Sequence, residues 1–136
     1  TGGIATDPNT ALFRQEVLRL VNVERAKRGL SLLTMDNSKL TNAALLRTKE
    51  ITQVYSHTRP NGKDCFTALD EYGVDHGFAG ENIAAGQKTP EAVVNGWMNS
   101  PGHRANILNP NYKKIGIGYM RTNSGYKYYW VQMFTD

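Results

Sequence analysis

Three polar residues stand where the chain turns: His57 in Ser56-His57-Thr58, Glu81 in Gly80-Glu81-Asn82-Ile83 and His103 in Gly102-His103-Arg104. Two imidazoles and a carboxylate are the donor types that bind a divalent metal such as Zn²⁺ or move a proton near neutral pH. His103 is expected as the third residue of a helix capped by Ser100. There the unpaired backbone N–H groups and the positive end of the helix dipole disfavour an imidazolium. A neutral histidine is what a metal or a general base requires. Spacing alone leaves a structural role open, in which His103 bonds a neighbouring loop and Glu81 accepts from backbone donors. The short ligand spacing His-x-x-x-His is missing from the sequence.

Other residues carry weaker signals. Cys65 precedes His103 and Asn106 in the order of a papain-like triad, yet nothing around it marks a low-pKa thiolate. His76 reads as a solvated loop residue. Trp97, Trp130 and the tyrosines 119, 126, 128 and 129 could line a sugar- or lipid-binding groove, but aromatics at alternating strand positions are more often core and cross-strand pairs. Lys113, Lys114, Arg121 and Lys127 form a solvated basic rim. No nucleic-acid motif accompanies them, so no nucleic-acid partner is expected.

The elements that must position these residues follow from the hydrophobic pattern. Phe13, Val17, Leu20 and Val21 fall at helical spacing, and Arg25, Lys27 and Arg28 before Gly29 read as a basic last turn, which predicts a helix from about Ala11 to Arg28. A second helix, capped by Asp36 or Ser38, carries Leu40, Ala43, Ala44, Ile51 and Val54 on one face and should run to about Val54. Phe66, Leu69 and Tyr72 mark a short helix ended by Gly73. Thr89-Pro90 and Ser100-Pro101 each place a cap before a proline at the first helical position, predicting helices through Trp97-Met98 and from Pro101 to about Leu108. Ile115, Ile117 and Tyr119 alternate with Gly116 and Gly118. Tyr126 to Phe134 is aromatic and β-branched, and Asn123-Ser124-Gly125 between the two runs makes an antiparallel hairpin. Gly116 and Gly118 share one strand face, which should be covered closely by a helix. Val17, Val21, Leu40, Ala44, Trp97, Ile117 and Val131 are the expected core.

Helices first and strands last argue for an α+β fold in one domain, residues 11–136, preceded by a flexible tail over residues 1–10. The chain has 136 residues, with 16 Lys plus Arg against 12 Asp plus Glu, a net charge of +4. One cysteine excludes a disulfide framework within the chain. No apolar run approaches a membrane span. A monomer is expected.

The same segments resemble the CAP superfamily: cysteine-rich secretory proteins, antigen 5 allergens, plant pathogenesis-related proteins and bacterial SCP-like secreted domains. The resemblance is carried by Val21-Asn22 through Arg25 ahead of Gly29-Leu30, by Ser56-His57, by Gly80-Glu81-Asn82-Ile83, by Trp97, by the run from Ser100 to Leu108 and by the terminal hairpin. It implies an α-β-α sandwich around a three- to four-stranded antiparallel sheet, with an additional strand near Glu81 to Gly86, and an extracellular or cell-envelope location. It also implies a cleft lined by two histidines and two glutamates that binds divalent metal in several members. His57, Glu81 and His103 match three of the four positions, and Ser100 stands where the second glutamate would be. The resulting expectation is a binding domain whose cleft, lined by His57, Glu81, Ser100 and His103, takes a metal through His57 and His103. Its partner would be a small ligand, a lipid or an envelope component. The alternative is a metal-assisted hydrolase with Glu81 as general base.

Overall fold

The computed structural model describes residues 4, 5 and 8–136 of the chain. In chain order the elements are β1 (Ile4–Ala5), α1 (Thr10–Ala26), α2 (Ser38–Ile51), α3 (Thr67–Glu71), β2 (Ala79–Ala85), α4 (Pro90–Met98), α5 (Pro101–Ile107), β3 (Lys114–Thr122) and β4 (Tyr128–Thr135). The strands form one antiparallel sheet in the order β1-β3-β4-β2. Ile4–Ala5, expected within the tail, pairs with Arg121 and Thr122 as a short edge strand.

Alternation along the strands divides the core into two layers. Ile83, Tyr129, Val131 and Met133 face α2 and α3, where Leu40, Ala43, Ala44 and Leu69 are buried. Ala84, Ile115, Ile117, Tyr119, Trp130 and Phe134 face α1, α4 and α5, against Val17, Val21, Val93, Trp97 and Ile107. The fold is therefore an α-β-α sandwich, and every expected core residue is buried. Gly116 and Gly118 let α2 lie on the sheet: a Cβ at Gly116 would stand 2.5 Å from the Leu40 carbonyl oxygen, and one at Gly118 would be 2.8 Å from that of Ala44. A methyl group at either position would push the helix off β3.

Several boundaries differ from the sequence reading, each for a local reason. The α2 cap is Asn37, whose Oδ1 accepts from Lys39 N and Leu40 N at 3.0 and 3.2 Å, while Asp36 is drawn to Lys114 Nζ at 2.9 Å. The helix stops at Ile51 rather than Val54 because Thr52 turns its hydroxyl onto the Lys49 carbonyl at 2.6 Å. The second hairpin strand begins at Tyr128, not Tyr126. Lys127 has φ 69°, and the Thr122 N–H donates to its carbonyl at 2.7 Å, closing the turn. Arg25 stands in the last turn of α1, as its sequence position implies. It is fully buried and donates to the carbonyls of Ser31, Ile107, Asn109 and Tyr112 over 2.7 to 3.1 Å, tying α1 to the end of α5.

The outer edge of β2 is closed by side chains. The carbonyls of Ala79, Glu81 and Ile83 accept from Tyr112 Oη, Asn106 Nδ2 and Trp97 Nε1 at 3.0, 3.3 and 3.2 Å. Satisfying these groups removes the template for edge-to-edge pairing and fixes α4 and α5 beside the strand that carries Glu81.

Candidate functional site

The register of β2 sets the directions of its polar residues. Glu81 points with Ile83 into the α2 layer, and Asn82 points with Ala84 toward α5. The Glu81 side chain is 1% exposed. Its Oε2 accepts from Arg47 Nε at 2.7 Å, and its Oε1 accepts from Arg47 Nη2 at 3.2 Å and from His57 Nδ1 at 2.8 Å. Burial alone would raise the Glu81 pKa; the hydrogen bonds from His57 and Arg47, with the charges behind them, outweigh it and hold the carboxyl below its ordinary value.

Arg47 reaches Glu81 from the buried face of α2 and also donates to Glu50 Oε1 at 2.8 Å and to the Ser56 carbonyl at 2.7 Å. Glu50 in turn holds Arg59, which also binds Glu71 on α3. This chain of charges fixes the loop that presents His57. The loop is further closed by the Cys65 N–H donating to the His57 carbonyl at 3.0 Å. An ionised carboxylate only accepts, so His57 donates from Nδ1, and in the neutral ring the unprotonated nitrogen is Nε2. The hydrogen bond to Glu81 raises the His57 pKa above the usual histidine value against the opposing effect of burial. The ring remains 55% exposed.

His103 lies in a second pair. Its Nδ1 is 2.9 Å from Ser100 Oγ. Ser100 occupies the N-cap position of α5, but its hydroxyl makes no capping bond, contrary to the expected cap. Burial lowers the His103 pKa, and the charge of His57 lowers it further. The pairs are joined through amides: Asn82 Nδ2 donates to the His103 carbonyl at 3.1 Å, and Asn106 Nδ2 donates to Asn82 Oδ1 at 2.8 Å. Among the described residues, neither ring's Nε2 has a hydrogen-bond partner.

Cys65, not His103, completes the tight cluster: ligand atoms of His57, Cys65 and Glu81 all lie within 4.8 Å of one another. Burial and the nearby charges of Glu81 and Asp64 push the thiol up to about 12, the opposite of the setting a papain-like thiolate needs. His76 bonds the Val74 carbonyl of its own loop at 3.0 Å.

Sequence reasoning missed Arg47, and the signal was present. Arg47 falls in the apolar stripe of Leu40, Ala43, Ala44 and Ile51, just as Arg25 extends the stripe of Val17 and Val21. An arginine at a core position of an amphipathic helix is buried only with partners.

Comparison with known proteins agrees with this architecture. The family model described as the cysteine-rich secretory protein family matches residues 18–134. The uncharacterized protein YkwD of Bacillus subtilis is 40% identical over 128 residues, covering 93% of this chain and 48% of its own length. An uncharacterized membrane protein of the same organism, YlbC, is 35% identical over 117 residues, covering 85% of this chain and 32% of its own. The chain thus spans about half or less of the curated relatives it matches. Among solved structures, an extracellular protein containing an SCP domain from Bacillus anthracis has a TM-score of 0.82 at 28% identity, over 96% of this chain and 44% of that one. An outer surface protein of Borrelia burgdorferi shares the fold, with a TM-score of 0.86 at 21% identity, over 100% of this chain and 98% of that one. With the sandwich, the Gly80 to Ile83 strand and the Ser100 to Leu108 helix all in place, the chain belongs to the cysteine-rich secretory protein (CAP) family as a bacterial SCP-type domain.

Proposed function

We propose that this domain is an extracellular or envelope-associated binding module whose cleft takes a divalent metal ion such as Zn²⁺ through Nε2 of His57 and of His103. The observation that carries the reading is the 2.8 Å contact between His57 Nδ1 and Glu81, with Arg47 on both carboxylate oxygens. A carboxylate behind a histidine fixes its tautomer and aims the far nitrogen outward, the arrangement that supports metal-ligating imidazoles. Ser100 Oγ stands behind His103 at 2.9 Å from Nδ1 and orients that ring as either donor or acceptor. The donor chemistry fits a metal held by two imidazoles, with Glu81 and Ser100 as orienting groups rather than ligands. Two protein ligands are fewer than the three usual for a catalytic zinc, so the affinity is modest. The location follows the relatives described as extracellular and outer surface proteins.

The hydrolase alternative requires Glu81 to accept a proton from water. A carboxylate already paired to a buried arginine and held below its ordinary pKa is poorly matched to that task at neutral pH. Glycoside hydrolysis further needs a second carboxylate flanking the bond, and Ser100 stands where the family's second acid would be. The expectation is no peptidase or glycosidase turnover above background.

Equilibrium dialysis of the purified domain against Zn²⁺ tests the binding reading. It should retain about one ion per chain, and the doubly substituted His57→Ala, His103→Ala protein should retain none. Equal retention by both proteins would remove the site. Turnover lost in a folded Glu81→Gln variant would instead favour the hydrolase.

A further inference from the structure

The aromatic residues differ widely in exposure. Trp97, Tyr119, Tyr129 and Trp130 are buried, whereas Tyr126 is 63% and Tyr55 49% exposed. These two rings come from different parts of the chain yet stand side by side, with centroids 6.3 Å apart and planes tilted by 42°. Tyr129 supports Tyr126 edge-on from beneath at 6.4 Å. The backbone beneath is fixed too: Gly86 N donates to the Tyr128 carbonyl at 2.8 Å, and Lys127 holds its positive φ in the closed turn.

Two exposed lysines stand close in sequence to the platform. Lys127 follows Tyr126, and Lys88 lies two residues beyond Gly86, whose position is in ordinary contact range of the Tyr126 ring. Neither lysine is ion-paired among the described residues. From Arg121 to Thr135 the sequence contains no acidic residue.

We propose that Tyr55 and Tyr126 form a stacking platform for an anionic polysaccharide, with Lys88 and Lys127 pairing its acidic groups. A sugar ring presents a C–H face to an aromatic face and hydroxyls to the phenols, and two adjoining tilted rings accept two faces of a bent chain. The basic flank selects an acidic polymer over a neutral one. The same combination of rings and lysines serves single-stranded nucleic acids, and the extracellular and surface location of the relatives favours the polysaccharide. The platform does not use the metal ligands: Tyr55 stands two residues before His57, and Tyr126 lies at the Gly86 end of β2, beyond Ile83 and Ala85 from Glu81.

The test is affinity electrophoresis of the intact domain in gels containing polygalacturonate, neutral dextran, a thymidine oligonucleotide or phosphatidylglycerol vesicles. Polygalacturonate should retard the protein most. Tyr55→Ala and Tyr126→Ala should each weaken that retardation about threefold or more, Lys88→Glu should weaken it as well, and Tyr126→Phe, which keeps the ring and loses only the hydroxyl, should weaken it less than Tyr126→Ala. Melting curves establish that the variants are folded, and because Lys88 is exposed its variant stands as a second readout. No retardation by polygalacturonate, retardation unaffected by the tyrosine substitutions, or stronger retardation by the oligonucleotide or the vesicles would each overturn the proposal.

Discussion

Arg47 and Glu81 form an ion pair with side chains 0% and 1% exposed, joined at 2.7 Å between α2 and the edge strand β2. Removing Arg47 leaves the Glu81 carboxylate in the core with only His57 beside it. Arg47→Met should therefore destabilise the fold by about 3–5 kcal/mol in chemical denaturation. Arg47→Met combined with Glu81→Gln should be more stable than Arg47→Met alone, since the stranded carboxylate is gone. A single Arg47→Met variant as stable as the parent would contradict the buried pair.

The Glu81 contact raises the His57 pKa, which gives a sign to the pH dependence. The folded state holds this proton more tightly than the unfolded chain does. The stabilisation is complete below the ordinary histidine value of about 6.5 and is lost as pH rises through the higher folded value. The stability gap between parent and His57→Ala should shrink over that range. By NMR the His57 midpoint should lie above 6.5 and fall in Glu81→Gln. A midpoint at or below the ordinary value in the parent would contradict the contact.

Among the described residues Arg25 has no carboxylate partner; four backbone carbonyls, two of them Ile107 and Asn109 at the end of α5, take its protons. Arg25→Ala would leave buried acceptors without donors, each costing about 1–3 kcal/mol. The variant should lose at least about 3 kcal/mol, and hydrogen exchange should quicken along α5. Lysine, with a single point charge in place of the planar fork, should recover only part of the loss.

The fold was largely legible because helix and strand periods are local properties. Val17, Val21, Ala44 and Ile117 mark their buried faces through neighbours a few residues away. The partners of the site are not local. Arg47 and Glu81 meet across the boundary between a helix and a strand, and nothing in the spacing of either announces the other. Around Asp36, Asn37 and Ser38, three capping residue types stand in a row; the choice of Asn37 depends on Lys114, which arrives from β3. The Ser100 hydroxyl likewise had two acceptable uses, a cap or a partner for His103, and only the packed structure selects the second.

That selection alters what a substitution at Ser100 should do. With no capping bond to lose, Ser100→Glu should cost little stability, and a carboxylate in the first turn interacts favourably with the helix dipole. Placed beside His103, it adds a negative charge to the cleft. Zn²⁺ should bind more tightly to the folded variant than to the parent at the same pH. Equal affinity would place residue 100 away from the metal.

The central claim, that Glu81 orients His57 rather than binding the ligand or accepting protons itself, is tested most directly by calorimetric Zn²⁺ titration of four folded proteins at one pH. Relative to the parent, His57→Ala and His103→Ala should abolish binding. Glu81→Gln should weaken it by roughly 10–100-fold, the loss typical of an orienting partner. Abolished binding in Glu81→Gln alongside retained binding in both histidine variants would contradict the account.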